Sequence, residues 1–323
     1  MRPPHSSLAW YGRKLGWSET EIRGLSAFGS PARPETITTK GDVKKLVDAM
    51  RGVARLRVDE LAQKVPGHHL AKKDDLLAES ARRGGEIRIL ELDVTKDDSI
   101  ITAVEQIELE EGCIDVLINN AGYAIGGFFE DLTEQEIRNQ METNFFGVQK
   151  VTRAVLPLMR KTAAETNSNP KILNISSVSG RSAFPGMGAY GASKFALEGF
   201  SESLYHELLP LGIYVALIEP GAFRTKIFTE NAHKAGKSED PASPYIKYTH
   251  AFRNTLRKMV KSKDGMGDPE DVAALIERVV NTNKPKLRYL IGRQSRLRLL
   301  IRALLPDHTF SSMLRKRMFG ELD

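Results

Sequence analysis

The sequence predicts a single α/β domain of three layers, in which helices cover both faces of a doubly wound parallel sheet. Two observations predict this class. Strand-like apolar segments alternate with helical patterns over residues 86–292, an order typical of parallel sheets. Two of these strands, 114–122 and 171–180, are continuous apolar runs that end in polar loops, as expected of strands that are buried on both faces.

The first half of this pattern contains two strands and two helices. The segment EIRILELDV (86–94) alternates apolar and polar residues, which predicts a strand. Helical spacing follows over 97–112, and the run IDVLINNAG (114–122) predicts the next strand. A long helix is predicted over 133–161, because Thr133 begins a capping-box pattern ahead of it.

The second half adds three strands and two helices. The run KILNISSVSG (171–180) predicts a buried strand, and the helix 189–212 ends at a glycine. The run IYVALIEPG (213–221) predicts another strand. A helix with proline at its start is predicted over 269–281, and LRYLIG (287–292) predicts the last strand.

Three segments lie outside this alternation. Residues 1–85 are an atypical N-terminal region with helical stretches but no strand-like run. Residues 229–268 are polar and interrupted by prolines, which predicts a mobile insertion with a helix in its second half. Residues 293–323 mix arginines with leucines and predict a basic helical tail. The predicted division of the chain is therefore 1–85, 86–292 and 293–323.

Composition excludes several classes of protein. The 323 residues are 41% hydrophobic and 27% charged, which excludes a disordered, collagen-like or disulfide-stapled chain. Cys113 is the only cysteine, so we expect a reducing compartment, the cytoplasm. No apolar run reaches the ~18 residues of a membrane-spanning helix. The seven histidines have no metal-ligand spacing, so no metal is expected.

The net charge of +6 is unevenly distributed along the chain. Residues 1–85 carry +6 and residues 284–323 carry +7, whereas the centre, 86–283, carries −7. The basic ends have no zinc-finger or RNP pattern beside them. Because the predicted domain itself is acidic, we expect no nucleic-acid partner.

Ser177, Tyr190 and Lys194 form the strongest candidate for a catalytic group. Lys194 follows Tyr190 by four residues on a predicted helix, so both side chains lie on one face. A phenol has a pKa of about 10, and a nearby cation favours the phenolate and lowers that pKa. Tyr190 could then exchange a proton with a carbonyl or an alcohol, while the Ser177 hydroxyl holds the substrate oxygen.

Five motifs in order carry a resemblance to a known family. They are NNAG at 119–122, Asn144 within ETNFFGV, ISS at 175–177, YGASK at 190–194 and PGAFRT at 220–225. On these motifs the chain is identified as a member of the short-chain dehydrogenase/reductase family, which has a Rossmann-like fold. Two segments resemble the branch of 17β-hydroxysteroid dehydrogenase type 1 and retinol dehydrogenases: YGASKFALEGFSESL and, near the end of the predicted domain, PKLRYLIG.

The resemblance implies a site and a reaction. Tyr190 resembles the acid/base, Lys194 the residue that lowers its pKa and binds the nicotinamide ribose, Ser177 the substrate-polarising serine, and Asn144 the holder of a relay water. The implied contacts with the cofactor, NAD or NADP, are Asp93, Val94, Asn119, Ala121, Gly122, Pro220, Gly221 and Thr225, besides Tyr190 and Lys194. The implied reaction interconverts a hydrophobic alcohol and its ketone or aldehyde (steroid, retinoid or lipid-like).

Simpler roles remain open for these residues and for others. Asn119 would serve equally as part of a polar turn, and Asn144 as a locally bonded helix residue. Asp93 and Thr225 would serve as helix caps, together with or in place of a cofactor contact. The isolated titratable residues are expected at the surface or in packing; they are His68, His69, His206, His250 and Cys113.

The glycine-rich turn that the family places after its first strand has no counterpart in residues 1–85. The nearest segment is GVARLRVDELA (52–62), which has Leu56 and Val58 where glycines would stand. Glycines there let the backbone approach the pyrophosphate. Three explanations stay open: an altered reading frame at the start, a variant that binds nucleotide weakly or not at all, and an unrelated N-terminal element. In each case the first strands are missing or irregular.

Partners and a rival function complete the expectations. The resemblance implies a homodimer or homotetramer, with dimer contacts through the long helices. The basic, leucine-rich tail after residue 292 is interpreted as a peripheral membrane helix, as a lid over an apolar pocket, or as a packed helix with a solvated face. The rival to the enzyme is a catalytically silent binding or scaffolding protein of the same fold, suggested by the missing glycine turn.

Overall fold

The computed structural model describes residues 89–166, 168–225, 232–261 and 266–320. Within those residues the strands are β1 (Val116–Asn119), β2 (Ala124–Gly126), β3 (Lys171–Ile175), β4 (Tyr214–Pro220), β5 (Ala232–Lys234) and β6 (Arg288–Ile291). The helices are α1 (Asp97–Glu111), α2 (Glu134–Met141), α3 (Gly147–Thr166), α4 (Gly188–Leu208), α5 (Ile246–Lys261), α6 (Pro269–Val280), α7 (Arg293–Leu304) and α8 (Asp307–Phe319).

The main sheet has four parallel strands in the order β1-β3-β4-β6. Asn119 of β1 lies opposite Asn174 of β3, and Pro220 of β4 lies opposite Ile291 of β6. The parallel sheet with crossover helices confirms the predicted fold class. This arrangement brings the carboxyl ends of the strands, where ligands bind in such folds, to one edge.

Apolar residues on the strands pack against helices on both faces of the sheet. Ile172 and Val215 are fully buried in a cluster that also contains side chains of α1, α3 and α4. Their neighbours Leu173 and Ala216 face the opposite side and pack with Leu275 of α6. Because successive side chains of a strand point to opposite faces, these continuous apolar runs fill two cores and form the middle of three layers.

The helix predicted over 133–161 contains a turn that the spacing does not reveal. Thr133 accepts a hydrogen bond from the backbone of Glu136, and the Glu136 carboxylate accepts from the backbone of Thr133, so the predicted capping box is present. After α2 the chain forms a π-helical turn, Glu142–Phe146, and then continues as α3. Such turns widen a helix locally and are frequent at functional sites.

The start of the predicted domain is only partly described. Residues 1–85, and residues 86–88 of the predicted strand 86–94, lie outside the described residues. Within 89–94, Glu91 forms a single β-bridge, and Leu92, Asp93 and Val94 are buried. The other predicted elements of the main sheet are confirmed to within a few residues at each end.

The insertion and the tail form a cover beside the carboxyl edge of the sheet. Strand β5 pairs in parallel with β2, an arrangement that the sequence did not predict. Helix α5 confirms the helix predicted in the second half of 229–268. Helices α7 and α8 confirm that the tail is helical, and Thr255 of α5 donates to the Met318 carbonyl of α8 at 3.2 Å. In the described part of the chain, no helix is long and apolar enough to cross a membrane.

Candidate active site

Ser177, Tyr190 and Lys194 meet beyond the carboxyl end of β3. Ser177 caps the short 3-10 turn Val178–Gly180, because its Oγ accepts from the Ser179 backbone at 3.1 Å. The Ser177 side chain is near enough to the Tyr190 hydroxyl to lower the pKa of the phenol. The Lys194 ammonium lies 5.8 Å from the Tyr190 ring centroid and donates to the Ile175 carbonyl at 2.8 Å. The structure therefore brings together the three side chains that the sequence proposed.

Burial dominates the electrostatics of Tyr190 and Lys194. Burial raises the pKa of the Tyr190 phenol, and the nearby Ser177 hydroxyl opposes that rise. This direction is opposite to the one expected from the proximity of Lys194 alone. Burial lowers the pKa of Lys194 to about 8, and the negative charge of Glu198 opposes that fall. The catalytic use of Tyr190 therefore depends on how far Lys194 keeps its proton.

Asn144 occupies the π-helical turn and is fully buried. Its Nδ2 donates to the Tyr123 carbonyl at 3.0 Å and to Ser193 Oγ at 3.1 Å. Its Oδ1 accepts from the Tyr123 backbone at 3.1 Å. A Cβ added to Gly122 would lie 3.0 Å from Asn144 Oδ1, so the loop after β1 fits closely over this amide. Asn144 therefore bonds across to this loop rather than within its own helix.

Asn119 at the end of β1 belongs to a buried polar network. Its Nδ2 donates to Asn174 Oδ1 at 2.8 Å and to Thr152 Oγ1 at 3.1 Å. Asn174 in turn donates to Ser201 Oγ at 2.8 Å. Both amide donors of Asn119 are thus used by protein groups, and the network ties β1, β3, α3 and α4 together. The loop that follows, with Ala121 half-buried and Gly122 exposed, begins from this fixed point.

Asp93 and Val94 lie near the start of α1. Asp93 Oδ1 accepts from the Thr95 backbone at 2.9 Å and from Thr95 Oγ1 at 2.7 Å. The buried Asp93 carboxylate therefore stabilises the turn before α1. It does not cap that helix as its simpler role predicted, because the N-cap residue is Lys96 and the helix has no side-chain cap. Val94 is also buried, and a Cβ added to Gly147 would lie 2.7 Å from its Cγ2. That contact allows α3 to pack closely on the Asp93–Val94 segment.

Pro220, Gly221 and Thr225 follow the carboxyl end of β4. The Pro220 carbonyl lies 3.5 Å from Ser177 Oγ, and the Gly221 backbone donates to the Ile291 carbonyl at 3.0 Å. Thr225 is exposed, and its backbone donates to the Phe223 carbonyl at 2.7 Å. The positions where a helix capped by Thr225 would begin lie outside the described residues.

Of the remaining titratable candidates, His206, His250 and Cys113 behave as the simpler interpretations expected. His206 packs edge-on against Tyr205, and His250 is exposed. Burial, together with the charges of Asp115 and Glu111, raises the pKa of Cys113 to about 11, so its thiol stays protonated at neutral pH. His68 and His69 lie outside the described residues.

Sequence reasoning missed a set of charged residues behind Lys194. Glu198 and Glu219 are buried acids, and Arg288 of β6 lies 3.0 Å from Glu198 and 3.5 Å from Glu219. Arg181, four residues after Ser177, lies 3.2 Å from the other oxygen of Glu219. The one local signal was the spacing of four residues that separates Tyr190, Lys194 and Glu198 on α4. The arginines come from distant parts of the chain and give no such signal.

The edge of the sheet offers groups that fit a nicotinamide nucleoside. Lys194 donates one hydrogen bond within the described part of the protein, although an ammonium has three donors. A Cβ added to Gly122 would lie 3.9 Å from Lys194 Nζ, so this glycine leaves the space beside the ammonium free of a side chain. The hydroxyl groups of a ribose could accept hydrogen bonds from the remaining donors of this ammonium. The segment that corresponds to the family's glycine-rich turn, within residues 1–85, lies outside the described ranges.

Comparison with known proteins agrees with this arrangement. The family model of short chain dehydrogenases matches residues 46–236. The chain is 43% identical to 3-ketodihydrosphingosine reductase of Bacteroides thetaiotaomicron over 64% of its own length and 74% of the relative. It is 34% identical to human retinol dehydrogenase 8, over 71% of this chain and 70% of that one.

A solved structure also matches across most of the chain. The short-chain dehydrogenase from Streptomyces avermitilis aligns with a TM-score of 0.62 and 34% identity, covering 77% of this chain and 84% of that protein. The chain therefore resembles proteins of this family in its fold as well as in its sequence. This chain belongs to the short-chain dehydrogenase/reductase family of NAD- or NADP-dependent oxidoreductases, as its ordered motifs predicted.

Proposed function

We propose that this protein interconverts a hydrophobic alcohol and its ketone or aldehyde, with Tyr190 as the acid/base. One observation carries the proposal: Ser177 and Lys194 both lie beside Tyr190. The Lys194 ammonium is 5.8 Å from the Tyr190 ring centroid, and the Ser177 side chain lowers the pKa of the phenol. These groups share the carboxyl edge of a parallel sheet, the position at which this class of fold binds its ligands.

Each of the four residues has a distinct role in the proposed reaction. In reduction, Tyr190 donates its hydroxyl proton to the carbonyl oxygen, and in oxidation it accepts the proton of the alcohol. Ser177 donates a hydrogen bond to the same oxygen. The Lys194 charge favours the phenolate as it forms, and Asn144 holds the loop at Tyr123 and a relay water beside it. NAD or NADP, when bound, supplies or accepts the hydride.

The cofactor contacts remain those that the resemblance implies. Gly122 has the best structural support, because it is exposed beside Lys194 and packs on Asn144. Pro220 and Gly221 adjoin Ser177 through the Pro220 carbonyl. We propose that the remaining contacts are made by Asp93, Val94, Asn119, Ala121 and Thr225. Because the side-chain donors of Asn119 are already used, its contribution is to hold the loop in place.

A hydrophobic substrate is supported by apolar side chains around residues 186–187, which precede Tyr190 in the chain, and by a group of aromatic rings around Phe128. Gly186 packs against the Phe252 ring of α5, with 3.6 Å between its added Cβ and the ring, and Met187 lies next to Gly126. Phe128 stacks on Tyr245 at 4.9 Å between centroids and also contacts Phe319 of α8. Two relatives are named for 3-ketodihydrosphingosine and for retinol. We therefore favour a lipid-like or retinoid substrate over a small polar one.

The experiment that tests the proposal combines binding and turnover. Purified protein is titrated with NADH and with NADPH by fluorescence, and then assayed with a panel of long-chain ketones, retinoids and steroids. We expect one cofactor to bind in the micromolar range, and the variant Tyr190→Phe to bind it equally while losing turnover by at least about 100-fold. Folded protein that binds neither cofactor would instead favour the silent binding protein, and unchanged turnover in Tyr190→Phe would refute the acid/base role.

Homodimers through the long helices are part of the proposal. Phe146 at the end of the π-helical turn and Phe195 on α4 are 42% and 46% exposed, which is unusual for large apolar side chains on neighbouring helices. A second copy of the chain would cover them. Sedimentation velocity of the protein and of Phe195→Glu tests this: a dimer or tetramer that dissociates in the variant supports it, whereas a monomeric parent protein rejects it.

Contact with a membrane surface is a separate proposal for the tail. Leu297, Leu300 and Leu304 share one face of α7 and are 59%, 56% and 71% exposed, with basic residues beside them. Such a face suits the interface of an anionic bilayer. Co-sedimentation with vesicles that contain phosphatidylserine should be lost in Leu300→Glu. A cytoplasmic location stays a prediction from the single cysteine.

A further inference from the structure

Five charged side chains connect the elements that carry the proposed catalytic groups. We call this set the charge cluster; it consists of Lys194, Glu198, Arg288, Glu219 and Arg181. Its members come from α4, β6, the end of β4 and the turn after Ser177. Every neighbouring pair along this order is of opposite charge. The cluster therefore forms a chain of alternating charges beneath the active site.

Glu198 occupies the position next to Lys194 in this chain. It lies one helical turn after Lys194 on the same face of α4 and is 5% exposed. Its Oε2 accepts from Arg288 Nε at 3.0 Å. Its Oε1 is buried and accepts no hydrogen bond within the described part of the chain. One oxygen is thus held by Arg288, and the other is left without a hydrogen-bond partner among the described residues, one helical turn from Lys194.

The far end of the cluster leads back to Ser177. Glu219 is fully buried; its Oε2 accepts from Arg181 at 3.2 Å, and its Oε1 lies 3.5 Å from Arg288. The next residue, Pro220, carries the carbonyl that faces Ser177 Oγ. Gly180 completes the contact, because a Cβ added there would lie 2.9 Å from Glu198 Cγ and 2.9 Å from the Lys194 carbonyl. The catalytic turn and the helix of Lys194 therefore pack directly over Glu198.

A buried ammonium needs an opposite charge nearby, because burial favours its neutral form. The groups near the Lys194 ammonium are the Tyr190 ring, the Ile175 carbonyl, and Gly122 with its neighbour Asn144. The charge that acts on it is that of Glu198, one helical turn further along α4. Of these groups, only Glu198 is an acid. Further along the cluster, the positive charges of Arg288 and Arg181 are offset by the negative charges of Glu219 and Glu202. Glu202 is exposed and accepts a hydrogen bond from Arg288 at 2.6 Å.

We propose that Glu198 is a positioning residue that keeps the Lys194 ammonium charged and fixed beside Tyr190. Its effect on the reaction rests on the proposed function, because it acts through Lys194 and Tyr190. Its effect on Lys194 does not, since the charge of the lysine can be measured without cofactor or substrate. Arg288 holds the carboxylate in place by binding its other oxygen and, as a cation, limits how strongly Glu198 acts.

The first test measures the titration of Lys194 directly. Protein that carries lysine labelled with ¹³C at Cε is titrated by NMR, with Lys194→Arg used to assign the signal. We expect the pKa of Lys194 to be about 8 in the parent protein and to fall by about one unit in Glu198→Gln. The matched control is Glu202→Gln, which removes an exposed partner of the same arginine and should change that pKa by less than about 0.3 unit.

A second variant moves the same signal in the opposite direction. Arg288→Gln removes the cation nearest to Glu198, so the pKa of Lys194 should rise. Equal pKa values in the parent protein and in Glu198→Gln would overturn the proposal, as would a fall in Arg288→Gln. If Glu198→Gln does not fold, the direction in which the pKa of Lys194 changes in Arg288→Gln decides whether the proposal holds.

The catalytic consequence is measured separately. In Glu198→Gln the alkaline limb of kcat/KM for carbonyl reduction should move to lower pH by about one unit, because Lys194 loses its proton earlier. A merely structural loss would lower activity at all pH values equally. If Lys194 shifts as expected but no substrate is turned over at any pH, the proposed function fails while the inference about Glu198 stands.

Discussion

The Arg298 guanidinium of α7 stacks on the Phe184 ring, with 3.1 Å between its central carbon and the ring centroid. It also donates to Ser182 Oγ at 3.0 Å and to the Ala183 carbonyl at 2.8 Å. These three loop residues lie between Ser177 and Tyr190 in the sequence. One arginine from the tail therefore holds the loop that sets the distance between two proposed catalytic groups.

Loss of this arginine should reduce both stability and activity. We expect Arg298→Met to lower the free energy of unfolding by about 2 kcal/mol, because several charge-assisted hydrogen bonds are lost together. We also expect kcat/KM to fall by about tenfold, because the loop no longer fixes Ser177 relative to Tyr190. Urea unfolding and steady-state kinetics measure the two effects.

Arg296→Met is the control for that change. Arg296 lies on the same helix but is exposed, so its loss should leave stability within about 0.5 kcal/mol. Equal losses of stability in the two variants would show that the loss comes from a change in the helix and not from the contacts of Arg298 with Ser182–Phe184.

Local pattern was sufficient to predict most of the main sheet and its helices. The runs around Ile172 and Val215 are apolar on both faces, and such runs leave few alternatives to a buried parallel strand. Ser177, Tyr190 and Lys194 were found because one helix and one strand end carry them. What they do depends on burial, however, and burial reversed the direction expected for the pKa of Tyr190.

Features that depend on distant pairing could not be predicted. Arg288 and Glu198 are separated by 90 residues, and no local spacing connects them. Strands β2 and β5 have three residues each, too few for a periodic signal. The π-helical turn at Asn144 has the same apolar spacing as the α-helix around it, because one extra residue per turn hardly changes the pattern.

Gly221 should tolerate a side chain only if Ser295 moves away from it. A Cβ added there would lie 1.9 Å from Ser295 Oγ, so Gly221→Ala would push the start of α7 away from the end of β4. We expect a loss of about 2 kcal/mol in the free energy of unfolding. The double variant Gly221→Ala, Ser295→Gly should recover most of it, because it removes the atoms that clash.

Thermal and urea unfolding of the single and double variants test that contact. A single variant as stable as the parent protein would contradict the close packing. Gly188, where an added Cβ meets no atom within 4 Å, gives the matched control, since Gly188→Ala lies in α4 and should not be destabilising.

Cys113 should react slowly with thiol reagents in the folded protein. Its pKa of about 11, against an ordinary value of 9.0, leaves about 100-fold less thiolate at pH 8 than in an unfolded chain. Ellman's reagent at pH 8, with and without urea, measures the ratio. Cys113→Ser should abolish the slow reaction, and equal rates with and without urea would show that burial does not protect the thiol.

The buried Lys194 should also make stability depend on pH above neutrality. Its pKa is about 8 in the folded protein and near 10.5 when unfolded, so between these values the unfolded chain binds more protons. Stability contributed through this group therefore rises with pH over that window and is constant below it. Lys194→Met removes this dependence on pH.

From pH 7 to pH 9.5 the free energy of unfolding of the parent protein should thus rise by about 1 to 2 kcal/mol relative to Lys194→Met, as measured by urea titration. A constant difference between the two proteins across this range would mean that Lys194 titrates as an ordinary lysine, and that burial at the end of β3 does not affect its charge.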